Sequence, residues 1–428
     1  MNSKSNSIEI KFIKLIITLY FLNYQIVTII LHDNVVFKYL RDFFLLFFVG
    51  YIFYKKSSIK KNLQLYSAFL IVISVLYSIL KTSIPGASFV FARRYLEPVI
   101  YCIALSQLKI NENSFKSILR YMLNLLSVLS IWGIFQAYIL GPKFLIRLGY
   151  PVGYSYAYGG ETLRSSYYFG NLGIQRVIST VSNTNVFAGI LGISILLIWT
   201  NYQLVLKKKI DFFKFIILIL TFLLTFSRAN ILAIVIISIF IGWKSIPKKK
   251  IIFSIIAIGV FIYFIFYFIQ NDFGVTHKIF KWIIDSIKFK ESSANGRSKI
   301  WKEAFEVAVH NPLGIGFGRV GSWAQMNNVS LFYHCENSYL AILLDMGLLG
   351  LISFIMFIYG FLYKIKSKKE NDKIKLIYVY IGYIAIIMFF SNHIYDMELI
   401  VFAYSVFTLW INYLPSSSNN EFIKKNDI

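Results

Sequence analysis

Apolar segments of about 17–25 residues recur along the whole chain, and each is long enough to cross a hydrocarbon core of about 30 Å as a helix. Transmembrane β-strands would instead alternate polar and apolar positions in segments of about ten residues, and no such alternation is found. The pattern predicts an all-α, polytopic membrane protein, a single integral membrane domain over residues 1–428 with about twelve transmembrane helices. The predicted spans lie near 12–31, 36–54, 63–81, 87–108, 118–141, 185–204, 211–226, 230–246, 251–270, 337–363, 374–391 and 398–414.

Composition supports this class, because 57% of residues are hydrophobic, only 15% are charged and the mean hydropathy is +0.64. A formal charge of +24 would suggest a nucleic-acid partner in a soluble protein. Here the lysines cluster in short loops such as "KKSSIKK" (55–61) and "WKSIPKKK" (243–250), whereas the alternate loops 32–35 and 392–397 have no lysine or arginine. This asymmetry follows the positive-inside rule. It predicts cytoplasmic termini, a multi-pass membrane protein in contact with lipid, and no nucleic-acid partner.

With this orientation two long loops are external, 142–184 and 271–336, and 415–428 is a short cytoplasmic tail. The second loop contains "RSKIWKEAFEVAVHNP", which predicts an amphipathic helix on the outer membrane surface or on the bundle. Its apolar face is predicted to comprise Ile300, Trp301, Ala304, Phe305 and Ala308. Simple packing is the first role to expect of such a helix.

Arginine inside a span costs about 2.5–3.5 kcal/mol on insertion scales, so arginines in or beside spans are candidates for function. Arg93 and Arg94 lie inside the fourth predicted span, where a local ion pair with Glu97 is the structural alternative. Three more lie at external positions, where snorkelling to the interface is the alternative. These are Arg176 before the sixth span, Arg228 in the turn between the seventh and eighth, and Arg297 at the start of the amphipathic helix. A guanidinium fork binds phosphate oxygens bidentately, so a cluster of external arginines suits a diphosphate.

His334 stands where the tenth predicted span begins, beside Glu336 and Asn337. Histidine can accept a proton near neutral pH, and a base beside a diphosphate site is what glycosyl transfer from a lipid carrier requires. A purely structural histidine is the alternative, and Glu336 either orients His334 or is a solvated loop residue. "GIGFG" (314–318) is read as a turn rather than a nucleotide loop, because it follows no predicted strand of a βαβ unit. Two cysteines are too few for a disulfide framework or a metal site, and we expect neither metal nor cofactor.

Several segments together resemble the superfamily of O-antigen polymerases and O-antigen ligases, which are bacterial membrane glycosyltransferases. The first is an arginine followed by a small and polar run into a span, here Arg176 through "STVSNTNVFAGIL". The second is an "SRA" turn that opens a span, here at Arg228. The third is an arginine and a tryptophan ahead of a glycine turn, here Arg297, Trp301 and "NPLGIGFG". The last is a histidine motif, matched by His334, Asn337, Leu340, Asp345, Gly347 and Gly350. The chain departs from that motif at Asp345, where glutamate is common, and at the intervening Cys335 and Glu336.

The resemblance covers about residues 90–360 in the right order. It implies metal-independent transfer of a glycan from undecaprenyl diphosphate at the outer face of the inner membrane, with a chain-length regulator and a flippase as partners. His334 would then activate the attacking sugar hydroxyl, and Arg176 and Arg228, with Arg297, would hold the diphosphate. The favoured reaction is polymerisation of lipid-linked repeat units of O-antigen or capsule. Ligation of finished polymer to lipid A core or to protein is the alternative, and a lipid-linked oligosaccharide flippase or transporter is the reading from another class.

Overall fold

A computed structural model describes residues 2–31, 35–56, 62–84, 86–155, 160–169, 174–245, 292–321, 324, 329, 333, 335–366 and 372–413. The described chain is mostly helical. Its α-helices are α1 (Asn2–Asn23), α2 (Val35–Lys55), α3 (Leu63–Lys81), α4 (Ala87–Ser106), α5 (Glu112–Phe135), α6 (Gly141–Leu148), α7 (Thr184–Thr200), α8 (Tyr202–Val205), α9 (Lys209–Leu224), α10 (Arg228–Ser245), α11 (Ser292–His310), α12 (Ser338–Lys366), α13 (Asp372–Phe390) and α14 (Met397–Tyr413). Short π-helical segments, Tyr24–Ile30 and Gln136–Leu140, extend α1 and α5.

Asparagine marks the start of several helices. The side chains of Asn62, Asn111 and Asn183 accept hydrogen bonds from backbone N–H groups in the first turns of α3, α5 and α7. An asparagine before an apolar run satisfies donors that have no partner inside the helix. These caps explain why the helices begin at the polar edges of apolar segments.

Four helical segments within the described residues are long and apolar enough to cross a membrane: Ile8–Ile30, Leu63–Lys81, Glu112–Leu148 and Ser338–Lys364. Eleven of the twelve predicted spans fall on described helices, and the remaining one, 251–270, lies outside the described residues. The twelve-span count and the orientation in the membrane therefore stay predictions.

The first long loop departs from the all-α prediction, because it contains two small antiparallel sheets. Strand β1 (Val152–Ser155) pairs with β2 (Gly160–Leu163), and β3 (Tyr168–Phe169) pairs with β4 (Ile174–Gln175). A separate small core holds this region against the end of α1. That core comprises Ile29, Leu145, Tyr150, Leu163, Tyr167, Tyr168 and Ile178. The loop is thus a folded cap on one end of the bundle.

The amphipathic helix of the second loop is present as α11, which begins before Arg297 rather than at it. Ala304 and Ala308 are buried, whereas Phe305, on the same predicted apolar face, is 56% exposed. Trp301 packs edge-on against Phe389 of α13, with ring centroids 5.1 Å apart. The packed face is narrower than the apolar stripe, because it is set by the small alanines that let α11 approach the bundle.

The glycine turn after α11 packs backbone to backbone against a kink in α12. Gly347, inside α12, has φ +69° and ψ −167°, and Gly314 of the turn has φ +78°. The backbone N–H of Ile315 donates to the carbonyl of Leu344 at 2.6 Å, and that of Leu348 donates to the carbonyl of Pro312 at 2.8 Å. The turn is a packing device at a helix kink, which agrees with rejecting a nucleotide loop.

We expect Gly347→Ala to lower the free energy of unfolding by about 3 kcal/mol, because the residue needs a left-handed backbone and has no room for a side chain. An added Cβ would lie 2.5 Å from the backbone of Leu313 and Pro312. Thermal unfolding of the purified protein in detergent measures the effect. Gly50→Ala is the matched control, since a Cβ at Gly50 meets no atom within 4 Å. Equal unfolding temperatures for the two variants would contradict the argument.

Candidate active site

The turn between α9 and α10 presents Arg228 as the first residue of α10, with its side chain exposed. A chain of hydrogen bonds to α7 and α13 fixes the turn. Ser227 Oγ donates to Asn185 Oδ1 at 2.9 Å, Asn230 Nδ2 donates to Ser227 Oγ at 2.8 Å, and Tyr383 OH donates to Asn230 Oδ1 at 2.6 Å. A helix N-terminus favours anions through its free N–H groups and dipole. Arg228 therefore adds its charge where the backbone already favours an anion.

Arg176 lies beside this turn and is bonded to it. Its Nε donates to the carbonyl of Thr225 at 2.7 Å, Nη1 to the carbonyl of Ser166 at 3.1 Å, and Nη2 to Asn185 Oδ1 at 2.8 Å. Burial and the neighbouring charge of Arg228 lower the pKa of the Arg176 guanidinium to about 10, so it remains a cation at neutral pH. A guanidinium has five N–H donors, and these bonds use three. Arg176 thus holds the turn in place. Among the described residues, one N–H on each of its terminal nitrogens has no partner and could donate to a ligand.

Arg297 and Glu336 form an ion pair between α11 and the segment that precedes α12, and both side chains are partly exposed. Glu336 is thus exposed and pairs with Arg297, one of the arginines predicted to hold the diphosphate. Exposed pairs of this kind contribute about 0–1 kcal/mol to stability. The pair thus holds Arg297 close to the segment that precedes α12, and it contributes little to the stability of the fold.

His334 lies outside the described residues, but its two neighbours in the chain are described. The backbone N–H of Tyr333 donates to the carbonyl of Arg319 at 2.8 Å, and Cys335 Sγ donates to the carbonyl of Asn337 at 3.0 Å. Asn337 is buried, and its Oδ1 accepts from the backbone N–H groups two and three residues later, at 2.9 and 3.1 Å. Asn337 is thus the N-cap of α12. The substrate-binding role predicted for Asn337 from the sequence stays a prediction.

Helix α13 contacts both the α10 turn, where Arg228 and Arg176 lie, and α11, which carries Arg297. Tyr383 bonds to the α10 turn through Asn230, and Phe389, which contacts Trp301 of α11, follows six residues later. Six residues of α-helix span about 9 Å. Arg228 and Arg176 therefore lie at the same end of the bundle as Arg297 and Glu336, and residues from distant parts of the sequence are brought together.

Arg93 and Arg94 have different surroundings. Arg93 Nη1 donates to Asp42 Oδ2 of α2 at 2.7 Å, and Glu97 accepts from Tyr20 OH at 2.6 Å. The ion-pair partner expected for Arg93 was Glu97, and the observed one is Asp42, which sequence spacing could not indicate. Arg94 lies over the rings of Phe91 and Tyr395, 5.4 and 5.8 Å from their centroids. These arginines belong to a buried network between helices, and we leave them out of the proposed site.

One polar pair at this end of the bundle was not predicted from the sequence. His393 is buried in the connection between α13 and α14, and its Nδ1 lies 2.8 Å from Asp396 Oδ2. Its Nε2 makes no hydrogen bond within the described part of the chain. The signal was "NHIYD", a histidine three residues before an aspartate in a short loop. Among the described residues, no group of three or more His, Cys, Asp and Glu side chains is placed to bind a metal ion.

The fold is that of a helical membrane protein, and Arg176, Arg228 and Arg297 lie at one end of its bundle. Residues 213–355 match the family model described as O-antigen ligase, which spans Arg228, Arg297 and His334. Arg176 lies outside that match but is bonded to Thr225 inside it. The match confirms the resemblance to the O-antigen ligase and polymerase superfamily, and it supports a multi-pass membrane enzyme of polysaccharide assembly. No curated protein matches the chain.

Proposed function

We propose that the protein is a polysaccharide polymerase that transfers a growing glycan from undecaprenyl diphosphate to a sugar hydroxyl of a lipid-linked repeat unit. The observation that carries the proposal is the exposed Arg228 at the start of α10, supported by the clamp of Arg176 and lying within the matched family region. Such a surface suits the diphosphate of a lipid carrier, whose charge increases as the glycosidic bond breaks.

In the proposed reaction His334 acts as the base, and the arginines hold the diphosphate. His334 removes the proton of the attacking sugar hydroxyl. The hydroxyl oxygen forms a bond to the anomeric carbon as the bond between that carbon and the diphosphate breaks. Arg228 and Arg176 stabilise the departing diphosphate, and Arg297 adds charge from α11 while its pair with Glu336 positions it. The proton stays on His334, and the carrier leaves as undecaprenyl diphosphate. No metal ion or cofactor is required for this balance.

Ligation is the second candidate, because the matching family model is described as O-antigen ligase. The two reactions share the donor and differ only in the acceptor, which is a lipid-linked repeat unit in one and lipid A core or protein in the other. The same arginine-rich surface serves both reactions.

A surface-glycan gel on a deletion strain tests the proposal. We expect deletion to leave the acceptor with a single repeat unit, and the wild-type chain to restore the ladder. An acceptor without glycan, with polymer accumulating on the lipid carrier, would establish the ligase instead. An unchanged ladder would overturn both. Purified protein that extends lipid-linked repeats in detergent would exclude a transporter, since transport requires two compartments.

A further inference from the structure

A basic groove lies at the opposite end of the bundle from Arg228. It has a volume of about 420 Å³ and is formed mainly by one face of α5 against α1. Ligand sites in proteins commonly have about 300–1,000 Å³. Its charged lining residues are Lys14, Lys116 and Arg120, and no acidic residue lines it among the described residues.

The distance between the two sites follows from α5. Arg120 lines the groove near the start of this helix, and Gly133, thirteen residues later, packs against Val177 next to Arg176. Thirteen residues of helix span about 20 Å. The groove is therefore on the other side of the bundle and is not part of the proposed active site.

Polar groups of the groove are held in place by neighbouring helices. Lys14 Nζ donates to Ser117 Oγ at 2.8 Å, and Lys214 Nζ of α9 donates to Asn124 Oδ1 at 2.7 Å. Arg120 Nε is buried and makes no hydrogen bond within the described chain. Two lysines and an arginine around one groove, with no acidic lining residue among those described, favour an anion through their combined charge.

The groove continues directly into an apolar surface of the same helix. Ser117, Tyr121 and Asn124 line the groove at spacings of four and three residues. The same spacing continues to Val128, Ile131 and Phe135, which are 64%, 54% and 38% exposed. Residues at this spacing lie on one face of a helix. One face of α5 thus offers a cationic pocket at one end and an uncovered apolar strip beyond it.

We propose that this face of α5 binds an anionic phospholipid, with its phosphate in the groove and an acyl chain along Val128, Ile131 and Phe135. The shared chemistry of possible ligands is a phosphate group, and a free phosphate ion would also meet the charged residues. The apolar strip favours the lipid, because a free phosphate ion would contact only the charged residues and would leave the strip without a ligand. Basic pockets between transmembrane helices bind lipid head groups in this way.

The test is a lipid titration of the full-length protein, purified in detergent and depleted of lipid, with the unfolding temperature as readout. We expect phosphatidylglycerol to raise that temperature, and phosphatidylcholine and sodium phosphate to leave it unchanged. Lys116→Gln and Arg120→Gln are each expected to raise the titration midpoint roughly fivefold, and the double variant about 25-fold, because each cation contributes about 1 kcal/mol to binding at an anionic lipid.

Two controls separate binding from folding. Lys207→Gln removes an exposed charge near the start of α9, outside the lining of the groove, and should leave the midpoint within about twofold, because its charge is screened. Arg120→Lys keeps the charge and should also bind. An equal response to sodium phosphate would assign the groove to a soluble anion, and an equal response to phosphatidylcholine would show unspecific binding. Either result, or an unchanged midpoint in the double variant, would overturn the proposal.

Discussion

Arg228→Ala is expected to lower the rate of glycan transfer by about 10²–10³-fold, the usual loss when one donor to a developing anion is removed. The side chain is exposed at the first residue of α10, and the hydrogen bonds of the turn beneath it join Ser227, Asn185 and Asn230. The fold should therefore persist. The rate is measured with purified protein and a lipid-linked repeat unit, and the unfolding temperature is recorded beside it.

Arg228→Lys distinguishes charge from geometry, because lysine keeps the positive charge but loses the planar fork. We expect activity between those of the wild type and Arg228→Ala. Arg147→Ala is the matched control, since Arg147 is an exposed arginine of α6 in the cap over the same end of the bundle. Full activity in Arg228→Lys would argue against bidentate binding of the diphosphate. Equal losses in Arg228→Ala and Arg147→Ala would mean that only net charge matters.

The helices could be predicted from the sequence because each apolar run is long and ends at polar residues. The boundaries of α3, for example, agree with the predicted span 63–81. The sheets of the first long loop could not be predicted, because strands of two to four residues are too short for a periodic pattern. They are stabilised by tertiary packing on Ile29 and Leu145, which only the folded chain brings together.

The site was predictable in its residue types and less so in its contacts. Arg176 and Arg228 were recognised as external arginines, and the structure shows how differently they are held, one clamped and one exposed. The partner of Arg93 was missed because Asp42 lies 51 positions away in the sequence. The capping role of Asn337 had a local signal, an asparagine just before an apolar helix, but the motif resemblance outweighed it. Pairing depends on which helices become neighbours, and spacing along one helix cannot reveal that.

His334→Ala is expected to lower transfer by about 10²–10⁴-fold, the usual contribution of a positioned general base. A sugar hydroxyl must lose its proton as the bond to the diphosphate breaks, and His334 is the histidine of the motif, inside the matched region. The same assay of purified protein measures the loss. Since Tyr333 is held by a backbone hydrogen bond and Cys335 by the bond from its thiol to the carbonyl of Asn337, removal of the imidazole should leave the unfolding temperature nearly unchanged.

The control is His310→Ala, which removes an exposed histidine at the end of α11 and should leave transfer unchanged. His393→Ala gives the decisive comparison, because His393 and Asp396 form a histidine–carboxylate pair among the described residues at this end. Loss of activity in His334→Ala alone would establish His334 as the base. Loss in His393→Ala alone, at equal stability, would move that role to His393. The assignment of the diphosphate surface to Arg228 and Arg176 is tested separately, by the Arg228 variants.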